Sequence, residues 1–167
     1  MSFVIPTERV DPPGAGSERA ALTGWLDWHR ATLLRKLAGL GDEQLRKVVL
    51  PSGLSLLGIV KHLTEVEQGW FAIEYAGSDE PYLYGGGETF ELTEADSTES
   101  VVTHYLAACE RSRQITAATP DLGRAVPNEE LGTVDLRWVL VHMVEETARH
   151  NGHADAIREL LDGSTGL

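Results

Sequence analysis

Four stretches of this chain carry apolar residues at the three-to-four spacing of a helix, and none alternates apolar with polar residues over a useful length. The pattern predicts an all-α fold, a helical bundle, because an apolar stripe along one side of a helix is hidden only against other helices. The first helix is expected from about Ser17 to Leu40, with Leu22, Leu26, Leu33, Leu37 and Leu40 in line and Gly39 and Gly41 ending it. The second runs from about Leu54 to Ala76, behind Pro51-Ser52-Gly53, with Ile59, Leu63, Val66, Trp70 and Ile73 on its stripe. The third, about Ser97 to Thr119, opens on the capping sequence Asp96-Ser97-Thr98-Glu99. Its stripe of Val101, Tyr105, Ala108, Cys109, Ser112 and Thr116 is small and weakly apolar, which suits close helix approach or a polar cavity. Asp135 is placed to cap the fourth helix, which ends near Asp162-Gly163. A short turn is expected at Asp42 to Lys47 and a loop at Asp121 to Gly132. The long Gly-rich, acidic connection from Gly77 to Ala95 either covers a pocket or spans distant helix ends.

The fourth helix carries the densest chemistry: His142-Met-Val-Glu-Glu-Thr-Ala-Arg-His150-Asn-Gly-His153. Residues four apart on a helix share a face, with Cβ atoms roughly 6 Å apart, so two such side chains can meet at one metal ion. At about 100° per residue, Leu136, Val139, Leu140, Met143, Ala154, Ile157 and Leu161 form one broad stripe. His150 lies near its middle and Glu146 inside its edge. Glu145 turns toward the boundary, Arg149 sits at the rim, and His142 and His153 occupy a flank. A carboxylate on a core face costs several kcal/mol unless paired, protonated or metal-bound. Two readings therefore stand. Glu146 pairs with a buried Arg or His while His150 hydrogen-bonds in the core, or both bind a metal. Of the remaining histidines, His62 faces inward on the second helix, His29 lies near the first helix's stripe, and His104 sits on a flank of the third. Each defaults to a structural or pocket-lining role.

The 26 acidic against 14 basic residues, a formal charge of −12, argue against nucleic acid or an anionic membrane as partner. The single cysteine, Cys109, allows no intramolecular disulfide and fits a reducing cytoplasm. Residues 1–16, rich in Pro and Gly, read as an extended arm rather than a signal peptide, ahead of one domain over residues 17–167. No apolar run reaches the roughly 18 residues of a transmembrane helix.

Trp25-Leu-Asp-Trp28, Gly41-Asp-Glu-Gln-Leu45, Pro51-Ser-Gly53, Val60-Lys-His-Leu63, the run from Trp138 through His153, and Arg158-Glu-Leu-Leu-Asp-Gly163 together resemble the DinB-like metalloproteins. More narrowly, they resemble the actinobacterial branch near mycothiol-dependent maleylpyruvate isomerase, over about Ser17 to Gly163. The resemblance implies a four-helix bundle of up-down-down-up topology holding a divalent metal. It also implies the ligand set: one histidine from the second helix, and a glutamate and a histidine four apart on the last. Carried over, these are His62, Glu146 and His150. His142, Glu145 and His153 are then expected not to touch the metal.

Three protein ligands leave a coordination position open, as in catalytic sites. Nitrogen and oxygen donors suit Zn²⁺, Ni²⁺, Fe²⁺ or Mn²⁺, with Zn²⁺ favoured. The resemblance implies a thiol transferase or isomerase in which mycothiol, its proton lost at the metal, attacks an electrophilic small molecule. Arg149 and Arg113 are candidates to orient an anionic substrate, and Trp25, Trp28, Trp70 and Tyr84 to shape the pocket. A homodimer is a further implication. Metal-assisted hydrolysis is the alternative enzyme reading, since the same ligands can activate water. A stress-associated protein that captures a ligand without turnover is the non-enzymatic one.

Overall fold

The computed structural model describes residues 3–87 and 89–166. Met1 and Ser2 of the expected arm, Glu88 of the long connection and Leu167 at the end of the expected domain lie outside the described residues. The elements in order are α1 (Glu18–Leu37), α2 (Asp42–Arg46), α3 (Leu56–Glu67), a π-helical segment (Gln68–Tyr75), α4 (Thr98–Ala118), β1 (Ala125–Asn128), β2 (Gly132–Asp135) and α5 (Leu136–Asp162). Each long α-helix starts where a short polar side chain accepts an otherwise unpaired backbone N–H. Ser17 accepts from Ala20 at 3.2 Å, Ser55 from Gly58 at 3.1 Å, Ser97 from Ser100 at 3.1 Å and Asp135 from Trp138 at 2.7 Å. α1 stops at Leu37, short of Leu40, because Ala38 turns extended and Gly39 takes a left-handed φ of 80°.

The all-α expectation needs a correction. The expected loop at Asp121 to Gly132 holds β1, which pairs antiparallel with β2, Val126 opposite Val134. Four-residue strands are too short for alternation to be read along a sequence. Turn chemistry closes the hairpin instead: the Asn128 side-chain oxygen accepts from the N–H groups of Glu130 and Leu131 at 3.2 and 2.9 Å.

The second helix also departs from its expected stripe. Beyond Glu67 it widens into π-helical turns, with the Ala76 N–H reaching back five residues to the Phe71 carbonyl at 3.0 Å. A wider turn rotates later side chains off a 3.6-residue pattern. Phe71 and Tyr75 are buried, while Trp70 and Ile73, expected in the core, are only half-buried.

The core is divided. One apolar cluster joins Leu33, Leu37, Leu57, Leu63, Val101, Tyr105 and Ile157. The other joins Leu26, Phe71, Tyr75, Leu136, Leu140 and Met143. Along the helices, polar residues fall between the two: Arg30 between Leu26 and Leu33, Glu67 between Leu63 and Phe71, and Glu146, Thr147 and His150 between Met143 and Ala154. Buried polar groups must find partners, so this middle band is where chemistry concentrates. Ahead of α1, Arg9 donates to Thr32 at 3.1 Å and its guanidinium lies 4.3 Å from the Trp28 ring centre. Among the described residues, no helix is long and apolar enough to cross a membrane.

Candidate metal centre

α3 and α5 bring together three residues of the middle band. Glu146 Oε1 lies 3.2 Å from His150 Nε2 and 3.5 Å from His62 Nε2. One ligand atom from each of the three residues falls within 4.8 Å of the others. His62 and His150 are buried, at 6% and 5% exposure. The Glu146 side chain is 13% exposed, against 50% for neighbouring Glu145, so the one-residue difference in helical direction separates an inward carboxylate from a solvated one. Hydrogen bonds from His150 and then His62 hold the Glu146 carboxyl well below the usual carboxylate range. Arg149 Nη1 contacts the other oxygen, Oε2, at 3.3 Å, which leaves Oε1 to the two imidazoles. The donor set, two imidazole nitrogens and a carboxylate oxygen converging from two rigid helices, fits a divalent cation.

The other sequence candidates sit around this group. His142, one turn before Glu146, packs between Trp70 and Trp138, with ring centres at 4.6 and 5.1 Å, and burial lowers its pKa. The His153 ring centre is 5.4 Å from that of His150, but His153 does not join the converging donors. Asn151 donates to the His29 carbonyl at 3.0 Å, and burial lowers the His29 pKa as well. His104 Nδ1 lies 2.9 Å from the Tyr84 hydroxyl. Arg149 pairs with Glu145 and Glu146 beside the centre. Arg113 is held elsewhere, by Asp27 at 3.0 Å and Glu110 at 3.3 Å. Trp25 and Trp28 stack edge-on at 5.6 Å on α1.

The long connection between α3 and α4 walls the centre on one side. Phe90 stacks on His62, ring centres 4.1 Å apart and planes at 24°. A Cβ at Gly58 would stand 2.4 Å from the Phe90 carbonyl oxygen, so the close approach of this loop to α3 requires glycine there. Glu65, 2% exposed, receives the loop through Tyr84, Gly86 and Thr89. A cavity of about 310 Å³ opens along Val66, Trp70, Glu74, Tyr82 and Asn128, with none of the three converging residues in its lining.

Sequence reasoning did not single out Phe90, Glu65, or the buried pair Arg30 and Glu67, which meet through two bonds at 2.7 and 2.6 Å. For Glu67 a signal existed: it follows core Leu63 by four residues, a charge at core spacing. For Phe90 there was none, because loops lack periodicity.

Cys109 is 1% exposed, and burial pushes its thiol up to about 12. A thiol in that state is neither ionised nor reachable near neutral pH. We expect iodoacetamide to leave Cys109 unmodified in the folded protein and to label it fully after denaturation, as read by intact-mass spectrometry. Rapid labelling of the native protein would show that the thiol is available for chemistry.

A crystal structure described as a conserved protein from Enterococcus faecalis is similar, with a TM-score of 0.65 at 15% identity, over 90% of this chain and 100% of that one. At that identity the likeness speaks to the fold alone. Comparison with curated proteins gives no match. The family model described as mycothiol-S-transferase matches residues 21–163, a span that includes α3, α5 and all three converging donors. By that match the chain belongs to the mycothiol-S-transferase family of DinB-like proteins.

Proposed function

We propose that this protein is a metal-dependent S-transferase that joins mycothiol to an electrophilic small molecule, with the metal held by His62, Glu146 and His150. The observation that carries the reading is the convergence of those three donors, from two helices, within 4.8 Å in a largely buried site. Two histidines and a glutamate are a recurrent ligand set of catalytic zinc, and we name Zn²⁺ as the ion. A divalent cation there supplies a Lewis acid that favours the thiolate over the thiol. The sulfur electron pair forms a C–S bond at the electrophilic carbon, the thiol proton passes to solvent, and a leaving group departs with the electrons of the broken bond.

The chain's own residues supply the rest. Phe90 covers the His62 and His150 rings, and Trp70 packs with Trp138 against His142, one turn before Glu146. Arg149 is the residue beside the centre that can orient an anionic group, whereas Arg113 is paired with Asp27 and Glu110. With Cys109 buried, the nucleophilic thiol comes from outside the chain. The same reading takes the bundle as up-down-down-up, supported by the order of contacts. Glu18 meets Arg137 and Lys36 meets Asp155, rising together along α1 and α5. Between α3 and α5 the order reverses, His62 facing His150 and Trp70 facing His142.

Purification without tag or chelator, followed by elemental analysis, tests the metal. Conjugation of mycothiol to a model alkyl halide, above the uncatalysed rate, tests the reaction. One divalent ion per chain is expected, with activity lost on chelation and regained with Zn²⁺. A metal-free protein that conjugates at the full rate would overturn the reading, and ester hydrolysis without thiol would favour a hydrolase.

A further inference from the structure

Imidazoles that bind metals are ordinarily aimed by a second hydrogen bond: the ring nitrogen away from the metal donates to a carbonyl, a carboxylate or water. In this protein His62 and His150 turn Nε2 toward Glu146, and the Nδ1 atom of each is buried without a hydrogen-bond partner among the described residues. Within the protein, the contacts that orient the two rings are therefore packing contacts. Phe90 is in contact with both, stacked on His62 at 4.1 Å with the planes 24° apart and tilted by 45° to His150 at 5.5 Å. The two imidazoles are themselves 4.9 Å apart, so the three rings form one packed group.

Phe90 stands on a loop, and a loop residue can orient others only if it is itself held. One stripe of α3 does this. Glu65, which has no cationic partner in its hydrogen-bond set, accepts from the Tyr84 N–H at 2.6 Å, the Gly86 N–H at 3.2 Å and the Thr89 hydroxyl at 2.6 Å. Gly85, Gly86 and Gly87 have φ of 98°, 83° and 85°, a left-handed run that lets the chain curl around one carboxylate. Lys61, one turn earlier, donates to the Glu91 carbonyl at 2.8 Å and to Asp96 at 3.0 Å. Phe90 lies between these two anchors in sequence, with its carbonyl seated over Gly58.

We propose that Phe90 is the positioning residue for His62 and His150, orienting by ring packing two imidazoles whose Nδ1 atoms no protein group engages, and that Glu65 holds Phe90 in place through the loop. The inference rests on the metal reading for its consequence, but its geometry concerns the protein's own rings. Its flat face sets the ring planes, and the loop clasp prevents it from sliding off.

The test compares Phe90→Leu, which keeps an apolar side chain but no flat face, with Phe90→Tyr, which keeps the face. In metal-free protein, NMR cross-peaks between the His62 and His150 ring protons are expected in the wild type and Phe90→Tyr and lost in Phe90→Leu. Calorimetric Co²⁺ affinity is expected to fall about 10–100-fold in Phe90→Leu, the range for lost ligand support, and to hold in Phe90→Tyr. Glu65→Ala is expected to follow Phe90→Leu and to expose the loop to protease. Persistent cross-peaks or unchanged Co²⁺ affinity in Phe90→Leu would overturn the proposal, as would Phe90→Tyr behaving like Phe90→Leu. A wild type that takes up no Co²⁺ defeats the metal reading alone, and the cross-peaks still decide the role of Phe90.

Discussion

Replacing Glu146 with Gln is expected to remove divalent-metal binding, a loss larger than the roughly 10–100-fold that follows from disturbing a supporting residue. The amide keeps the shape of the side chain but loses the charge that both imidazoles face at 3.2 and 3.5 Å. His62→Ala and His150→Ala remove a donor outright and should do the same. Glu145→Gln is the control: its side chain is half exposed and pairs with Arg149, so metal content should hold. Elemental analysis and calorimetry on the four variants read the result. Equal losses at Glu145 and Glu146 would refute the assignment of the inward face.

Replacing Arg30 with Met is expected to destabilise the fold by roughly 3–5 kcal/mol, the cost of leaving a buried carboxylate without its partner. Glu67 is 1% exposed and takes two guanidinium bonds at 2.7 and 2.6 Å, with one more from Ser112 at 2.6 Å. With Arg30 gone, only the hydroxyl remains. For a chain of this size the Tm should fall on the order of 10 °C in thermal unfolding followed by circular dichroism. Replacing Arg30 and Glu67 together with apolar residues should recover most of the loss, since the penalty belongs to the unpaired charge. An unchanged Tm in Arg30→Met would mean that water reaches Glu67 and that the middle band is not dry.

Both predictions concern polar residues between the two apolar clusters, and they differ in how far the sequence announced them. The inward direction of Glu146 and His150 was legible because α5 is a regular helix of 27 residues, over which the 3.6-residue period keeps its phase. The same arithmetic failed beyond Glu67, where π-helical turns shift the phase and bury Phe71 and Tyr75 in place of Trp70 and Ile73. Nothing in the local composition marks that change. The β1–β2 hairpin escaped notice for a different reason: its register is held by a turn and four paired residues, and four residues carry no period.

The partner of the α5 pair was not legible from periodicity. His62 is 84 residues from Glu146 in the chain, and an inward histidine has many possible neighbours. The family resemblance supplied it, and the packing of α3 against α5 brings the three donors within 4.8 Å.

By itself the sequence determined where the long helices lie, the capping sequences ahead of α4 and α5 and the inward face of α5, because these depend on side chains within a few residues of one another. Only the tertiary structure decided that Arg30 meets Glu67, that Glu65 gathers the Gly85-Gly86-Gly87 turn, and that Phe90 lies against His62. Those contacts join residues far apart along the chain, and their geometry is set by how whole helices and a long connection pack, which no local pattern encodes.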